Sequence, residues 1–228
     1  MALAPERIVE VALELLNRVG LDALSTRRLA EELDVKGPSL YHHFRNKGEL
    51  LGQMAVAMIA RCLAELDTSV GWEDWVRTLA HASRRMMHQY RDGARIIAAS
   101  SPTDAMRTDL IPSLEAPLLR AGFSVHQANE IIGLMSSFVI GWTMNEQNEG
   151  MREYMVSMLD LDESFELAIE TIVLGLEQQI ASGRMKRAAP KRASASKAAL
   201  ASKPASASKL ASAPKPASRP KPRRRRSA

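Results

Sequence analysis

The chain has 228 residues, of which 46% are hydrophobic, and one cysteine, Cys62, which excludes an internal disulfide and a cysteine-rich metal site. No apolar run reaches the roughly 18 residues that span a bilayer, and acidic residues early in the chain are unlike a signal peptide, so a cytoplasmic protein with no membrane partner is expected. Fifteen of the 31 Lys and Arg residues lie from Arg184 onward without an acidic residue, which leaves residues 1–183 with a net charge of −10 and argues against a general polyanion-binding body.

Apolar residues at helical spacing predict three short helices before residue 46. The first starts at Pro5 and ends at Gly20. Ser25 or Thr26 caps the second. The third is very short and runs over residues 38–43.

The second and third helices, joined by a tight turn at 34–37, have the form of a helix-turn-helix that reads the DNA major groove. Leu40 and Phe44 are four residues apart and are expected to point into the core. The polar side chains on and beside these helices are expected to contact phosphates and base edges. They are Arg27, Arg28, Ser39, Tyr41, His42, His43 and Lys47. Gly37 and Pro38 are expected to let the backbone approach the DNA.

From residue 47 to 183 the pattern predicts a larger domain that is also helical, so the fold class is all-α. The fourth helix begins near Asn46 or Lys47, the next covers about 72–90, and a loop lies at 100–102. One helix ends at Gly122. A capping box at Ser124 and Gln127 starts the next helix, over 124–144, and the last covers about 164–181.

The helices at 124–144 and 164–181 carry more apolar surface than one small domain needs to bury. Packing against the same helices of a second copy would cover it, which predicts a homodimer. Burial of both helices within a monomer is the alternative.

Residues 184–228 consist mainly of Ala, Ser, Lys, Pro and Arg, and "ASASK" occurs at both 193–197 and 205–209. With few large apolar side chains, this tail is predicted to be disordered. It is expected to add non-specific affinity for DNA; a solubilising extension is the alternative. The predicted domains are therefore 1–46, 47–183 and 184–228.

The segment "LSTRRLAEELDVKGPSLYHHFRNKGELL" resembles the N-terminal signature of TetR-family transcriptional regulators. "GWEDWVRTLA", "YRDGARI", "AGFSVHQA" and "VLGLEQQI" resemble the effector domain of the tetracycline-repressor branch. The resemblance covers about residues 5–183 and implies an Ω-shaped, all-helical homodimer on a palindromic operator. It also implies that Thr26 contacts DNA.

In tetracycline repressors a magnesium-chelated drug is held by polar side chains. The resemblance places Leu63, Leu79, Ile97, Ser101 and Asn145 at those positions. Because Ile97 offers no ligand to a hard cation, no magnesium-tetracycline site is expected. No other metal site or cofactor is expected either.

A larger, more apolar effector pocket is predicted instead from the methionines as a group, although most of them, taken singly, are expected to be core residues. His81 and His88 are expected to lie at the surface or pocket edge, and Cys62 is expected to be buried. The predicted pocket residues are Met58, Leu63, Leu79, Ser83, Met86, Met87, Ile97, Ser100, Ser101, Pro102, Met135, Phe138, Trp142 and Asn145.

These features predict a ligand-responsive transcriptional regulator, a repressor that is released from DNA by a small, largely apolar organic effector. A nucleoid-associated protein that binds DNA mainly through its basic tail is the alternative. The sequence contains no P-loop, Rossmann glycine pattern, zinc spacing or Ser/His/Asp set in a plausible order, so an enzyme is not expected.

Overall fold

Helices account for nearly all of the regular structure in the computed structural model, which describes residues 4–188. No strand occurs in this range, and the predicted all-α class is confirmed. A π-helical turn at Met106–Leu110 precedes α7. The α-helices are α1 (Pro5–Val19), α2 (Thr26–Glu32), α3 (Gly37–Leu40), α4 (Lys47–Ala64), α5 (Trp72–His88), α6 (Gly93–Ala99), α7 (Ile111–Arg120), α8 (Val125–Gln147), α9 (Glu149–Val156) and α10 (Leu161–Ala181).

The first three helices and the start of α4 form a small head. Helix α1 buries one apolar face, and the chain turns away at Gly20, whose φ of 78° suits glycine. The Ser25 side chain caps α2 by accepting a hydrogen bond from the Arg28 amide. Leu40 and Phe44 are both buried, as predicted, and attach α3 to this core.

Helices α4 to α10 form the larger helical body behind the head. Its core includes the fully buried side chains of Trp75, Met87 and Phe165. The capping box at the start of α8 is confirmed, with Ser124 and Gln127 each bonding the other's backbone amide. Helix α10 begins three residues earlier than predicted, because the Asp160 side chain caps it.

Helix α9 was not predicted from the sequence. None of its residues is buried, although Met151, Tyr154 and Met155 recur at helical spacing. The Asn148 side chain caps it immediately after α8 ends. It therefore lies as a short helix on the surface of the body.

A row of ion pairs joins α5 to α10. Arg77 binds both carboxylate oxygens of Glu170, at 2.5 and 3.0 Å. His81 lies 2.8 Å from Glu166 one turn further along α5. Because α5 and α10 are antiparallel, successive turns of α5 pair with successive turns of α10 in reverse order. These pairs therefore fix the position of α10 along α5.

The next charged residues of α5 pair with a buried carboxylate on α8. Glu146 accepts two hydrogen bonds from the guanidinium of Arg84, at 2.5 and 3.1 Å, and lies 2.8 Å from His88. Arg84 also pairs with Asp162 of α10 at 2.7 Å. Burial raises the pKa of Glu146, but the bonds from Arg84 and His88 outweigh it, and the pKa lies below its ordinary value.

Both histidines thus have a carboxylate partner from a distant part of the chain, and both are partly exposed. Within residues 4–188 no group of three or more His, Cys, Asp or Glu side chains is arranged to hold a metal ion.

Beyond α10, residues 184–188 run back across the turn between α7 and α8. The Ala188 amide donates to the Gly122 carbonyl at 2.9 Å, and the Arg187 guanidinium lies over the rings of Trp72 and Phe123. A Cβ at Gly122 would lie 2.1 Å from the Ala188 carbonyl oxygen, so this contact requires glycine. The first five residues of the predicted tail therefore pack on the body, and residues 189–228 lie outside the described residues.

None of the helices within residues 4–188 combines the length and apolarity needed to cross a bilayer.

The buried carboxylate leads to a prediction about pH. Because the folded-state pKa of Glu146 is below its ordinary value of 4.5, its ionised form stabilises the fold above that pH, and the effect is lost as pH falls. Glu146→Gln is expected to lower the free energy of unfolding by about 2 kcal/mol at pH 7. The difference should shrink below about pH 4.5, as measured by urea unfolding.

The matched control is Glu177→Gln, on the exposed face of α10. It should change the free energy of unfolding little at either pH. A loss at Glu146 that stays the same from pH 7 to pH 3.5 would contradict the role of its charge.

Candidate DNA-binding surface and effector cavity

The turn between α2 and α3 sets the angle of the short helix. Asp34 adopts a left-handed conformation with φ of 51°, which Asp tolerates better than most residues. The Val35 amide then donates to the Ala30 carbonyl at 3.0 Å, and its side chain packs against the head core. This turn places α3 beside α2, as a helix-turn-helix requires.

Helix α3 is shorter than predicted. It covers Gly37–Leu40, and residues 41–43 form a turn. The amides of His43 and Phe44 both donate to the Leu40 carbonyl, which ends the helix. The turn brings Tyr41 and His42 outward, where both side chains are exposed.

A groove lies between α2 and the two ends of α3. The structure brings together four of the predicted DNA contacts here. The groove is lined by Thr26, Arg27, Ala30, Glu31, Val35, Gly37 and Tyr41. Arg27 is 88% exposed and donates to Glu31 at 3.0 Å, so Glu31 holds the guanidinium along α2. Glu31 was missed because an acidic residue gives no signal for phosphate binding.

Two further predicted contacts lie beside this groove and bind the turn that precedes α2. Arg28 donates to the Ala23 carbonyl and Lys47 to the Leu21 carbonyl, each at 3.3 Å. Both residues remain exposed. Their charges therefore flank the groove at its edge.

The start of α3 carries little side-chain bulk. Gly37 has open space where a Cβ would lie, with no atom within 4 Å. Pro38 is exposed, while Ser39 and His43 are half-buried. No packing within the described residues requires glycine at position 37. A larger side chain there would project outward, toward any molecule that contacts the start of α3.

The body contains an apolar cavity between α4, α5, α6, α7 and α8. Its volume is about 90 Å³, which is smaller than the large pocket predicted. Seven predicted residues line it: Leu63, Leu79, Ser83, Met86, Met87, Ile97 and Met135. Seven residues that were not predicted to line a pocket complete the lining: Ile59, Cys62, Leu114, Ile132, Ser136, Val139 and Ile140.

The other seven predicted pocket residues do not line this cavity. Phe138, Trp142 and Asn145 lie on another face of α8, where Phe138 and Trp142 form a cluster with Phe165 of α10. Met58 is fully buried. The loop at 100–102, which comprises Ser100, Ser101 and Pro102, packs against α4 instead.

The cavity does not fit a chelated metal. Leu63, Leu79 and Ile97, which the resemblance places at chelate-binding positions, line this cavity and contribute only hydrocarbon to it. A hard cation needs oxygen ligands. Cys62, buried as predicted, lines the same cavity, and burial raises the pKa of its thiol.

The loop after α6 touches the helix that leads to the head. A Cβ at Gly52 of α4 would lie 2.6 Å from the Ser101 carbonyl oxygen and 2.7 Å from the Thr103 side chain. The glycine thus lets the loop rest directly on the α4 backbone. Because Ile97 of α6 lines the cavity, a displacement there has a short route to α4.

A second junction joins the turn between α5 and α6 to the head. The Asp92 carboxylate accepts from the Leu21 amide at 2.9 Å, and Arg95 pairs with Asp22 at 2.7 Å. On the other side, the Gln147 side chain of α8 accepts from the Ala94 amide at 3.0 Å. Helices that line the cavity are therefore bonded to the head through one turn.

Comparisons with known proteins agree with this geometry. Residues 8–54 match the family model "Bacterial regulatory proteins, tetR family", and residues 66–156 match "Tetracyclin repressor-like, C-terminal domain". The class A tetracycline repressor protein from transposon 1721 of Escherichia coli is 38% identical over 149 residues, which cover 64% of this chain and 68% of that protein. The class D repressor from Escherichia coli is 34% identical over 144 residues, which cover 62% and 66%.

Solved structures give the same result. A TetR variant from Acinetobacter baumannii AYE in complex with minocycline superposes with a TM-score of 0.66 at 32% identity, covering 77% of this chain and 97% of that one. TetR class A in complex with 5a,6-anhydrotetracycline and magnesium gives 0.63 at 34% identity, covering 77% and 99%. BioQ with its double-stranded DNA operator gives 0.62 at 28% identity, covering 76% and 98%. The chain therefore belongs to the TetR family of bacterial regulatory proteins, close to its tetracycline-repressor branch, and is a regulator and not an enzyme.

Proposed function

We propose that this protein is a repressor that binds a palindromic operator as a homodimer and leaves it when a small, largely apolar effector enters the cavity. The observation that carries the proposal is the groove between α2 and α3, with the exposed polar side chains of Arg27 and Tyr41 at its surface. Polar side chains that face water on and beside the two helices of a helix-turn-helix are available to base edges and phosphates. BioQ, a structural neighbour, is known in complex with its operator.

The proposed dimer rests on exposed apolar side chains of α8 and α10. Leu134 of α8 is 52% exposed, and Leu167 and Leu174 of α10 are 69% and 58% exposed. A Cβ at Gly133 or Gly141 of α8 would meet no atom within 4 Å, so this face is open. Two half-sites of a palindrome each need one head, and a second copy would bury these side chains.

Release by an effector requires that it favour one head arrangement over another. An occupant of the cavity pushes on α6 and α8, and both helices are linked to the head. The loop after α6 rests on Gly52 of α4, and the α5–α6 turn bonds Leu21 through Asp92. A shift of these contacts would change the separation of the two heads and so the fit to two half-sites.

The operator proposal predicts the effect of Arg27→Ala combined with Tyr41→Ala. Each removes an exposed group of the groove, so specific operator binding should fall at least a hundredfold while folding is unchanged. Gel shifts against the operator and a scrambled duplex measure this. The operator would first be selected from random duplex DNA with the unaltered protein.

Arg107→Ala is the matched control, since Arg107 is exposed on the body and pairs only with its neighbour Asp104 among residues 4–188. It should bind the operator as the unaltered protein does. If the double variant still distinguishes operator from scrambled DNA, the groove is not the reading surface.

The dimer proposal predicts that Leu167→Glu with Leu174→Glu gives a monomer. Two carboxylates would be buried without partners at the interface, which is strongly unfavourable. Analytical ultracentrifugation should show the mass of one chain, 25.1 kDa, with unchanged helical circular dichroism. Leu119→Glu, at an exposed position of α7, should remain dimeric. A double variant that stays dimeric would place the interface elsewhere.

Truncation after Ala188 distinguishes the operator proposal from tail-driven binding. The deleted residues, 189–228, carry 12 basic and no acidic residues, while residues 184–188 keep their contacts with Trp72 and Gly122. We expect weaker overall affinity and a shallower salt dependence, with the preference for operator retained. Fluorescence anisotropy at several salt concentrations measures both. Loss of all DNA binding would favour a nucleoid-associated protein instead.

A further inference from the structure

The chemistry of the cavity wall restricts what can occupy it. None of its fourteen lining residues is charged, and the polar atoms come only from Cys62, Ser83 and Ser136. The Ser136 hydroxyl already donates to the Ile132 carbonyl at 2.6 Å. No hydrogen bond within residues 4–188 engages the Ser83 hydroxyl, so it can both donate to and accept from a ligand, whereas the Ser136 oxygen can only accept.

The size of the cavity restricts the occupant further. An apolar cavity of about 150 Å³ is known to bind benzene, whereas this one has about 90 Å³. Even a one-ring molecule therefore needs a modest expansion. Met86, Met87 and Met135 line the wall, and their unbranched side chains can change rotamer at low cost. A four-ring chelate would need the surrounding helices to separate.

We infer that the effector of this protein is a neutral molecule of about one ring that carries at most one hydroxyl group, which bonds Ser83. This inference rests on the proposed function, because it takes the cavity to be the effector site. A charged group is excluded by its desolvation, since no side chain in the wall would pair with it. A second polar group would find only the acceptor lone pair of Ser136 and would lose most of its hydrogen bonds to water.

Cys62 provides a reporter for occupancy. It is the single cysteine of the chain and lines the cavity, so a ligand there should slow its alkylation by N-ethylmaleimide. Phenol and toluene are the one-ring probes. Benzoate tests whether a charged molecule of similar size binds. Anhydrotetracycline with magnesium tests whether a larger, metal-chelating molecule binds.

We expect saturating phenol to slow the alkylation of Cys62 at least tenfold, to raise Tm, and to weaken operator binding at least tenfold. Benzoate and the magnesium chelate should do none of these. Ser83→Ala should abolish the preference for phenol over toluene, which we expect to be about three- to tenfold. Ser83 is half-buried and the change is small, so this variant should fold.

Ser136→Leu fills the cavity and should block phenol without lowering Tm. Its control is Ser113→Leu on the exposed face of α7, where the same substitution removes the same kind of bond, from the serine hydroxyl to the Asp109 carbonyl. That variant should bind phenol normally. Equal phenol binding by both variants would overturn the assignment of the site.

The inference is also overturned if benzoate or the magnesium chelate releases the operator while the one-ring probes do not, or if phenol binds without releasing it. Operator selection by the unliganded protein tests the proposed function separately from the effector class. A protein that selects no operator refutes the proposed function, whereas one that selects an operator but ignores phenol and toluene refutes only the effector class.

Discussion

The contact between the α5–α6 turn and the α1–α2 turn connects the two functional parts of the molecule. The Asp92 carboxylate holds the Leu21 amide at the end of α1, and Asp92 itself adopts a left-handed conformation with φ of 58°. Hydrogen bonds from Asp22 and Asp92 raise the pKa of the Arg95 guanidinium, which keeps its charge at any accessible pH. A bond between a carboxylate and a backbone amide is stronger than a neutral one, whereas solvent screens the exposed Arg95–Asp22 pair.

One strong and one weaker interaction would suit a junction that transmits a change from the body to the head, as the proposed function requires. Coupling between two sites in proteins is typically 1–3 kcal/mol, which is the size of one or two such hydrogen bonds. The row of ion pairs between α5 and α10, which includes the buried Glu146, ties one side of the body together. Under the proposed function, an occupant of the cavity would act on the head through the contacts at Gly52 and Asp92.

Most of the fold could be predicted because its signals are local. Gly20, Ser25, Asn46 and Ser124 mark helix ends through their own caps, and the structure has them there. Helix α9 was missed although Met151, Tyr154 and Met155 recur at helical spacing, because it is short and follows α8 directly. Residues 184–188 were assigned to the tail because composition cannot show that Arg187 finds two aromatic rings far away in the chain.

The two sites differ in how far the sequence could locate them. The groove of the head lies within one stretch of some twenty residues, so spacing alone brings Thr26, Arg27 and Tyr41 together. The cavity depends on how α8 is rotated about its axis. Met135 faces the cavity and Phe138 faces α10, although both are apolar residues of one helix. The apolar pattern of the sequence identifies the right helices and misses that rotation.

Under the proposed function, the apolar wall of the cavity restricts the choice of effector. The net charge of −10 on residues 1–183 is offset by fifteen basic residues from Arg184 onward, so overall charge excludes neither anions nor cations. A charged ligand of either sign would meet only methionine, leucine, isoleucine and valine side chains beside three weakly polar groups. The desolvation penalty for either sign of charge is far larger than any contact the wall offers. The proposed selection is therefore made by excluding charge, whereas a chelate-binding pocket selects by specific ligands.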